Sequence, residues 1–447
     1  MEQAVERENR IEALRAVVKN GGSPGIDRMR VKELKEHVAK HWESIREKLL
    51  AGSYTPSPVK RVDIPKPGGG TRMLGIPTVM DRFVQQLLLG VLQPIFEPRF
   101  SEHSYGFRPG RGAHEAIKAA QKYVQEGKEW VVDIDISKFF DHVNHDILMA
   151  KIGAVIRDKR VLRLIGRYLR AGIMSEGVVV AREEGTPQGG PLSPMLANVY
   201  LDALDKELEG RGLGFCRYAD DGNIYVGSQQ AAQRVMEKIV GWIEEKLRLK
   251  VNPDKSAAGK VWERKFLGFR INPAGQIEVA PQSLQRVKDK VRKLWRSCQS
   301  LRSVELRERW CAFVRGWWGY FRQAEVTRPV FRLEPWIRRQ MRKCFWQRWH
   351  DKKGRRKRLQ QLGIRGQELK IASSGRGAWR VAKSPTLHRA LSNKTLRRYG
   401  FLLPSELAGP QPLEFNRRML KTACPVVWEG HGAQSPWPDP IHCRSIA

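Results

Sequence analysis

Two adjacent carboxylates, Asp220 and Asp221, lie in Tyr218-Ala219-Asp220-Asp221, between Leu213-Gly214-Phe215-Cys216-Arg217 and Gly222-Asn223-Ile224-Tyr225-Val226-Gly227. Side-by-side ionised carboxylates repel unless a cation joins them, and hard oxygen donors suit Mg²⁺. In a regular strand the two side chains would face opposite ways; a turn between them relaxes that rule. Asp-Asp-Gly-Asn is equally good surface-turn chemistry, so on these residues alone a metal site and a plain turn both stand. A second carboxylate pair, Asp133 and Asp135, alternates with apolar residues in Trp130-Val131-Val132-Asp133-Ile134-Asp135-Ile136-Ser137.

The elements that must position these groups are short strands. The runs flanking Ala219-Asp220 are rich in β-branched and aromatic residues and predict a hairpin. Residues 130–137 predict a half-buried strand, with Trp130, Val132, Ile134 and Ile136 on one face and both aspartates on the other. A solvated face carrying incidental aspartates fits that stretch as well. Gly185-Thr186-Pro187-Gln188-Gly189-Gly190-Pro191-Leu192-Ser193-Pro194 holds too many Gly and Pro for a regular element and reads as a loop, followed by a helix from Met195 to Leu208.

The chain has 447 residues and is 41% hydrophobic, enough for two or three domains. Lys+Arg total 81 against 47 Asp+Glu, a net charge of +34. Solubility needs far less, so a polyanionic partner is expected. Nucleic acid is favoured over membrane, because the longest apolar runs, such as 87–92, are only core-helix length. Six cysteines without CxxC pairs, and a charged start with no secretory pattern, suit a reducing cytosol.

Residues 1 to about 50 read as helical around a Gly21–Gly25 break. Strands at 57–65 and 71–76 form a hairpin across Lys66-Pro67-Gly68-Gly69-Gly70. A core helix runs from Asp81 to Phe96, with further helices at 113–125 and 144–170 and a strand pair at 266–279 turning at Asn272–Gly275. Beyond 281, Leu284, Val287, Val291, Leu294, Cys298 and Leu301 mark one helix, and Leu306, Trp310, Phe313, Trp317 and Phe321 a second. From Arg338 to Arg358, 11 of 21 residues are Lys or Arg. Trp336, Phe345, Trp346 and Trp349 interleave with them, which suits RNA stacking with phosphate contact; the same aromatics could form the core side of a basic helix. Arg338, Arg339, Arg342, Lys343, Arg348, Arg355 and Arg356 are the RNA-binding candidates. Residues 401–447 are Pro-rich and read as a loosely ordered tail.

Taken in order, these motifs resemble the bacterial group II intron-encoded reverse transcriptase/maturase family. The resemblance rests on Gly25-Ile26-Asp27, Arg72-Met73-Leu74-Gly75-Ile76-Pro77, Tyr105-Gly106-Phe107-Arg108-Pro109 and Asp135-Ile136-Ser137-Lys138-Phe139-Phe140-Asp141. It continues through Gly185–Pro194, Ala197-Asn198, the Asp220-Asp221 hairpin, Asn252-Pro253-Asp254-Lys255 and Phe266-Leu267-Gly268-Phe269, then Arg315-Gly316-Trp317-Trp318-Gly319-Tyr320-Phe321. It implies an α/β (α+β) right-hand polymerase, with fingers and palm over 56–275 after a helical N-terminal extension (1–55). A helical thumb/maturase domain follows over 281–400, and the tail is last.

The resemblance also implies an RNA-directed DNA polymerase. Asp135, Asp220 and Asp221 would be catalytic and, with Ile136, would hold two Mg²⁺, or Mn²⁺ in its place. Lys66 and Arg72 would clamp the triphosphate, Phe140 would exclude a ribose 2′-hydroxyl, Gln188 would approach template and incoming base, and Lys255 would give a proton to pyrophosphate. Intron RNA, a DNA primer or target, and dNTPs are the implied partners, in a cytoplasmic, nucleoid-associated protein without membrane contact. Cys424, His431, His442 and Cys443 lack zinc-site pairing, so no zinc is expected and the chain is similar to the branch without an endonuclease. A maturase that has lost its polymerase, and a reverse transcriptase domesticated for defence, are the alternatives. The intact Asp135, Asp220, Asp221, Arg72 and Gln188 argue against decay.

Overall fold

A computed structural model describes residues 1–65, 71–175, 178–180, 184–186, 189–297 and 301–408, of which 72, 175, 178–180 and 297 by backbone alone. The chain divides into two compact units, and among these residues the division falls between Arg264 and Lys265.

The first unit is built on two sheets. Strands β1 (Val59–Pro65) and β2 (Thr71–Ile76) form an antiparallel pair, and β1 continues in parallel with β4 (Ile173–Ser175), which pairs with β5 (Val178–Val180). β3 (Trp130–Asp135) lies in the second sheet with β6 (Gly214–Tyr218), β7 (Asp221–Val226) and β8 (Ala257–Lys260), in the order β6-β7-β3-β8, antiparallel throughout. Val132, Ile134 and Ile224 turn one face of that sheet into the core, where they join Ile239 and Ile243 of the helix Gln229–Lys246.

The helix Val79–Phe96 starts where expected because Thr78 caps it, its Oγ1 accepting from the Asp81 amide at 3.0 Å. Its apolar stripe of Phe83, Val84, Leu87, Leu88 and Leu92 packs into the same core as Val17, Val38, Trp42 and Leu49 of the two N-terminal helices. The N-terminal extension is therefore part of this unit's core. The long helix expected over 144–170 is two, His145–Val155 and Lys159–Arg170. Asp158 ends the gap by accepting from the Arg160 and Val161 amides, a local bond that competes with helix continuation.

The second unit opens on a hairpin of β9 (Phe269–Ile271) and β10 (Ile277–Val279). Asn272 makes its turn by accepting from the Ala274 and Gln276 amides, with Gly275 in the left-handed region at φ +74°. Helices follow at Pro281–Ser297, Ser303–Phe321, Glu334–Arg348 and Lys352–Gln361. Trp295, Trp310, Phe345, Trp346 and Phe401 are buried within the unit, and Trp310 Nε1 donates to the Leu402 carbonyl at 2.7 Å. Residues 401–408 thus belong to the packed unit, because Phe401 and Leu403 bury apolar surface there that composition alone assigned to a tail. No helix among the described residues is long and apolar enough to cross a membrane.

Candidate active site

Register brings the sequence-distant aspartates together. Asp135 of β3 pairs directly with Asp221 of β7, and Asp133 with Asn223. Direct partners in an antiparallel ladder point to the same face, with Cβ atoms about 4.5–5.5 Å apart. The two strands therefore put Asp133, Asp135 and Asp221 on the face opposite the core. β6 and β7 meet through a two-residue turn, Ala219-Asp220, closed by the Tyr218–Asp221 pair. Ala219 is left-handed at φ +58°, the twist that matches a tight hairpin. Asp220 thus sits at the tip of the strand pair whose first β7 residue is Asp221.

Electrostatics at this end of the sheet reflect desolvation first and neighbouring carboxylates second. Asp221 is exposed by area, yet desolvation by the surrounding protein is the first cause pushing its carboxyl up to about 7. The charges of Asp220, Asp135 and Asp133 add to the rise, and Lys255 opposes it. Lys255 Nζ lies 3.2 and 3.3 Å from the two Asp135 carboxylate oxygens. Arg264 Nη2 lies 3.0 Å from Asp133 Oδ2 and donates to the Lys255 carbonyl at 2.8 Å, tying the Lys255 segment to β3. The Asp135 amide donates to Ser256 Oγ, and its carbonyl accepts from the Asn252 amide at 2.8 Å.

No three His, Cys, Asp or Glu side chains among the described residues are gathered closely enough to hold a metal ion as they stand. Lys255 engages Asp135. The donor set nonetheless fits a hard divalent cation: only carboxylate oxygens, with Asp135 and Asp221 on strands in direct register and Asp220 on the turn beside them. Ile136 has no donor on its buried side chain and could add only a carbonyl oxygen.

The turn is braced by residues to which sequence patterns assign no role. Arg217 and Asp205 are buried and paired, Nε to Oδ1 at 2.7 Å and Nη2 to Oδ2 at 2.6 Å. Arg217 also reaches the Asn198 side chain, Ser104 Oγ and the Ala219 carbonyl. The signal was a lone arginine in an otherwise apolar strand, and an aspartate among the core leucines 201, 204 and 208. Nothing in the spacing matched the two.

The other expected site residues fall in different places. Phe140 is only 5% exposed and meets Phe139 edge-on, so its ring belongs largely to the core. Its carbonyl accepts from the Thr186 amide at 2.7 Å, which seats the 184–186 loop beside it. Gly185, at φ +85°, makes that approach because a Cβ there would lie 2.9 Å from the Phe140 carbonyl and 2.7 Å from that of Asp141. Arg72 stands opposite Ile64 in the β1–β2 ladder. Lys66 and Gln188 lie outside the described residues, as do Cys424, His431, His442 and Cys443.

In the second unit the basic run splits in two. Phe345 and Trp346 are core residues of the helix Glu334–Arg348, so the stacking expected of them gives way to packing. Arg342 is buried and donates to the Leu391 carbonyl at 2.9 Å and to Asn393 Oδ1, an internal use that removes it from the RNA-binding candidates. Arg339 lies 3.4 Å over the Trp379 ring and bonds its carbonyl, Arg338 pairs with Glu334, and Arg355 stacks on Trp346. Lys343 and Arg348 are half-buried, whereas Arg356 is exposed on the next helix with Lys352, Lys353, Lys357 and Arg358.

Comparison with known proteins places both units. Residues 64–271 match the family model of the reverse transcriptase (RNA-dependent DNA polymerase), and residues 284–363 that of the group II intron maturase-specific domain. The chain is 34% identical over 301 residues to protein YkfC of Escherichia coli (strain K12), an alignment covering 58% of this chain and 79% of YkfC. It is 40% identical over 165 residues to the group II intron-encoded protein LtrA of Lactococcus lactis subsp. cremoris, covering 37% of this chain and 27% of LtrA. Among solved structures, apo telomerase from Candida tropicalis aligns with a TM-score of 0.41 and 14% identity, over 51% of this chain and 49% of that one.

Proposed function

The chain belongs to the group II intron reverse transcriptase/maturase family, and from that membership we propose that it copies intron RNA into DNA on the Asp135–Asp220–Asp221 face and assists splicing through its second unit. The reading rests above all on one observation, the direct pairing of Asp135 with Asp221 beside the turn that carries Asp220.

The reaction joins a primer 3′-hydroxyl to the α-phosphorus of a dNTP. A new P–O bond forms, the α–β bridging P–O bond breaks, and pyrophosphate leaves. Asp135, Asp220 and Asp221 would hold divalent cations, Mg²⁺ by the hardness of the donors and two in number, with Mn²⁺ as a substitute. Such cations, when bound, stabilise negative charge on the attacking and leaving oxygens. Lys255 stands beside Asp135 with a proton to give to the departing pyrophosphate. Arg72 and Lys66 supply fixed positive charge to the triphosphate. Gln188 acts against the template and incoming base. Phe140 lies under the nucleotide as a packed floor, which favours the sugar lacking a 2′-hydroxyl.

Intron RNA is held by phosphate contacts, with the exposed cations of residues 352–358 the main candidates. The protein then acts in the bacterial cytoplasm, at the nucleoid when it meets a DNA target. Primer extension on an RNA template tests the proposal. Wild type is expected to extend, and Asp220→Ala to lose extension while keeping RNA binding. Extension by Asp220→Ala at the wild-type rate would defeat the site assignment. A wild type that binds RNA but never extends would support a maturase alone.

A further inference from the structure

We propose that Arg217 is a positioning residue for the polymerase site: it fixes the left-handed Ala219 turn and thereby aims Asp220 and Asp221. The inference rests on the reading of those aspartates given above.

Its guanidinium has five N–H donors, and all five are used inside the first unit. Nε and one Nη2 hydrogen go to the Asp205 carboxylate at 2.7 and 2.6 Å, and the other Nη2 hydrogen to Ser104 Oγ at 2.8 Å. Nη1 donates to Asn198 Oδ1 at 3.0 Å and to the Ala219 carbonyl at 2.9 Å. The side chain is 3% exposed and that of Asp205 fully buried. A buried ion pair with every donor placed gives a fixed geometry.

The Ala219 bond lies on the turn itself, two residues from Arg217, at a residue whose Cβ makes the left-handed region unfavourable. A second set of contacts closes on the same turn. Asn198 Nδ2 donates to the Gly106 carbonyl at 2.9 Å, and Gly106 packs so tightly on the turn that a Cβ there would lie 2.3 Å from the Ala219 nitrogen. The Tyr105 amide donates to the Arg217 carbonyl, and the Arg217 amide to that of His103. Three separate segments (residues 103–106, the helix Ser193–Gly210 and β6) thus meet at one arginine whose last contact is the peptide before Asp220. An ion pair serving only the core would have no need of the turn carbonyl.

The test removes the pair without leaving a buried charge. In the full chain, Arg217→Met with Asp205→Leu is expected to stay folded at assay temperature, with a lowered melting temperature because Asn198, Ser104 and Ala219 lose their donor, and to bind RNA as wild type does. Its extension rate should nevertheless fall by about a hundredfold, the scale set by a displacement of about 1 Å, with little change in KM for dNTP. Mn²⁺ binding followed by electron paramagnetic resonance should weaken in parallel. Adding Ala219→Gly, which favours the left-handed turn without the arginine, should recover part of the rate and of the Mn²⁺ affinity. Should the double variant not fold, Arg217→Lys carries the same test, since one ammonium cannot meet Asp205, Asn198, Ser104 and Ala219 together. Wild-type rate and Mn²⁺ binding in a folded variant, or a loss that Ala219→Gly leaves untouched, would overturn the proposal. Asp220→Ala run beside it separates this failure from failure of the site itself.

Discussion

Asp135 and Asp221 face each other across the β3–β7 ladder, two carboxylates that backbone hydrogen bonding holds side by side. The sheet carries the repulsion because burial of Val132, Ile134 and Ile224 on its other face fixes the register. The first consequence is a stability that depends on pH in a metal-free protein. Asp221 is held up at about 7, above its ordinary 3.8, so the folded state binds more protons than the unfolded chain between those values. Stability should fall as pH rises from about 4 to about 7 and level off above. Asp221→Asn should flatten that fall and be the more stable form above pH 7. Thermal melts in chelator across this range check it; equal slopes in the two proteins would contradict it.

The second expectation concerns Gly106. A methyl group there would need to lie where the Ala219 nitrogen already is, at 2.3 Å. Gly106→Ala should therefore displace the turn and cut primer extension by about a hundredfold. RNA affinity should stay at the wild-type value, because none of the basic candidates is near this loop in sequence. Extension and filter-binding assays on one preparation check both halves.

The third separates surface from core among the basic residues. Changing Lys352, Lys353, Arg356 and Lys357 to Gln should weaken RNA binding and flatten its salt dependence, by about 0.7–0.9 in log–log slope for each phosphate no longer neutralised. The melting temperature should hold. Arg342→Ala should do the reverse, costing about 1.5–3 kcal/mol of stability because Leu391 and Asn393 are left without their donor. Titrations at several salt concentrations, with melts of both variants, distinguish the two classes.

Much of this layout is legible in the chain itself. Alternation over 130–135 announces β3 and its carboxylate face, and turn chemistry between two apolar runs announces the β6–β7 hairpin. Helical spacing finds Val79–Phe96 and Ser303–Phe321 to within a few residues. What escapes it are facts of packing. A run of arginines looks the same whether it faces solvent or, like Arg342, caps carbonyls inside a core. The Arg217–Asp205 pair joins a strand to a helix at a spacing that no periodicity marks. The gap at Asp158 depends on one side chain choosing local amides over a longer helix.

The most direct test of the shared cation site is cleavage by Fe²⁺ placed there in exchange for Mg²⁺. With ascorbate and peroxide, a bound iron cuts the backbone nearest to it. Cuts are expected close to residue 135 and close to 220–221 in the same protein, suppressed by excess Mg²⁺ and absent from Asp135→Asn. Cutting at only one of the two segments, or at neither while Mg²⁺-dependent synthesis persists, would contradict the account.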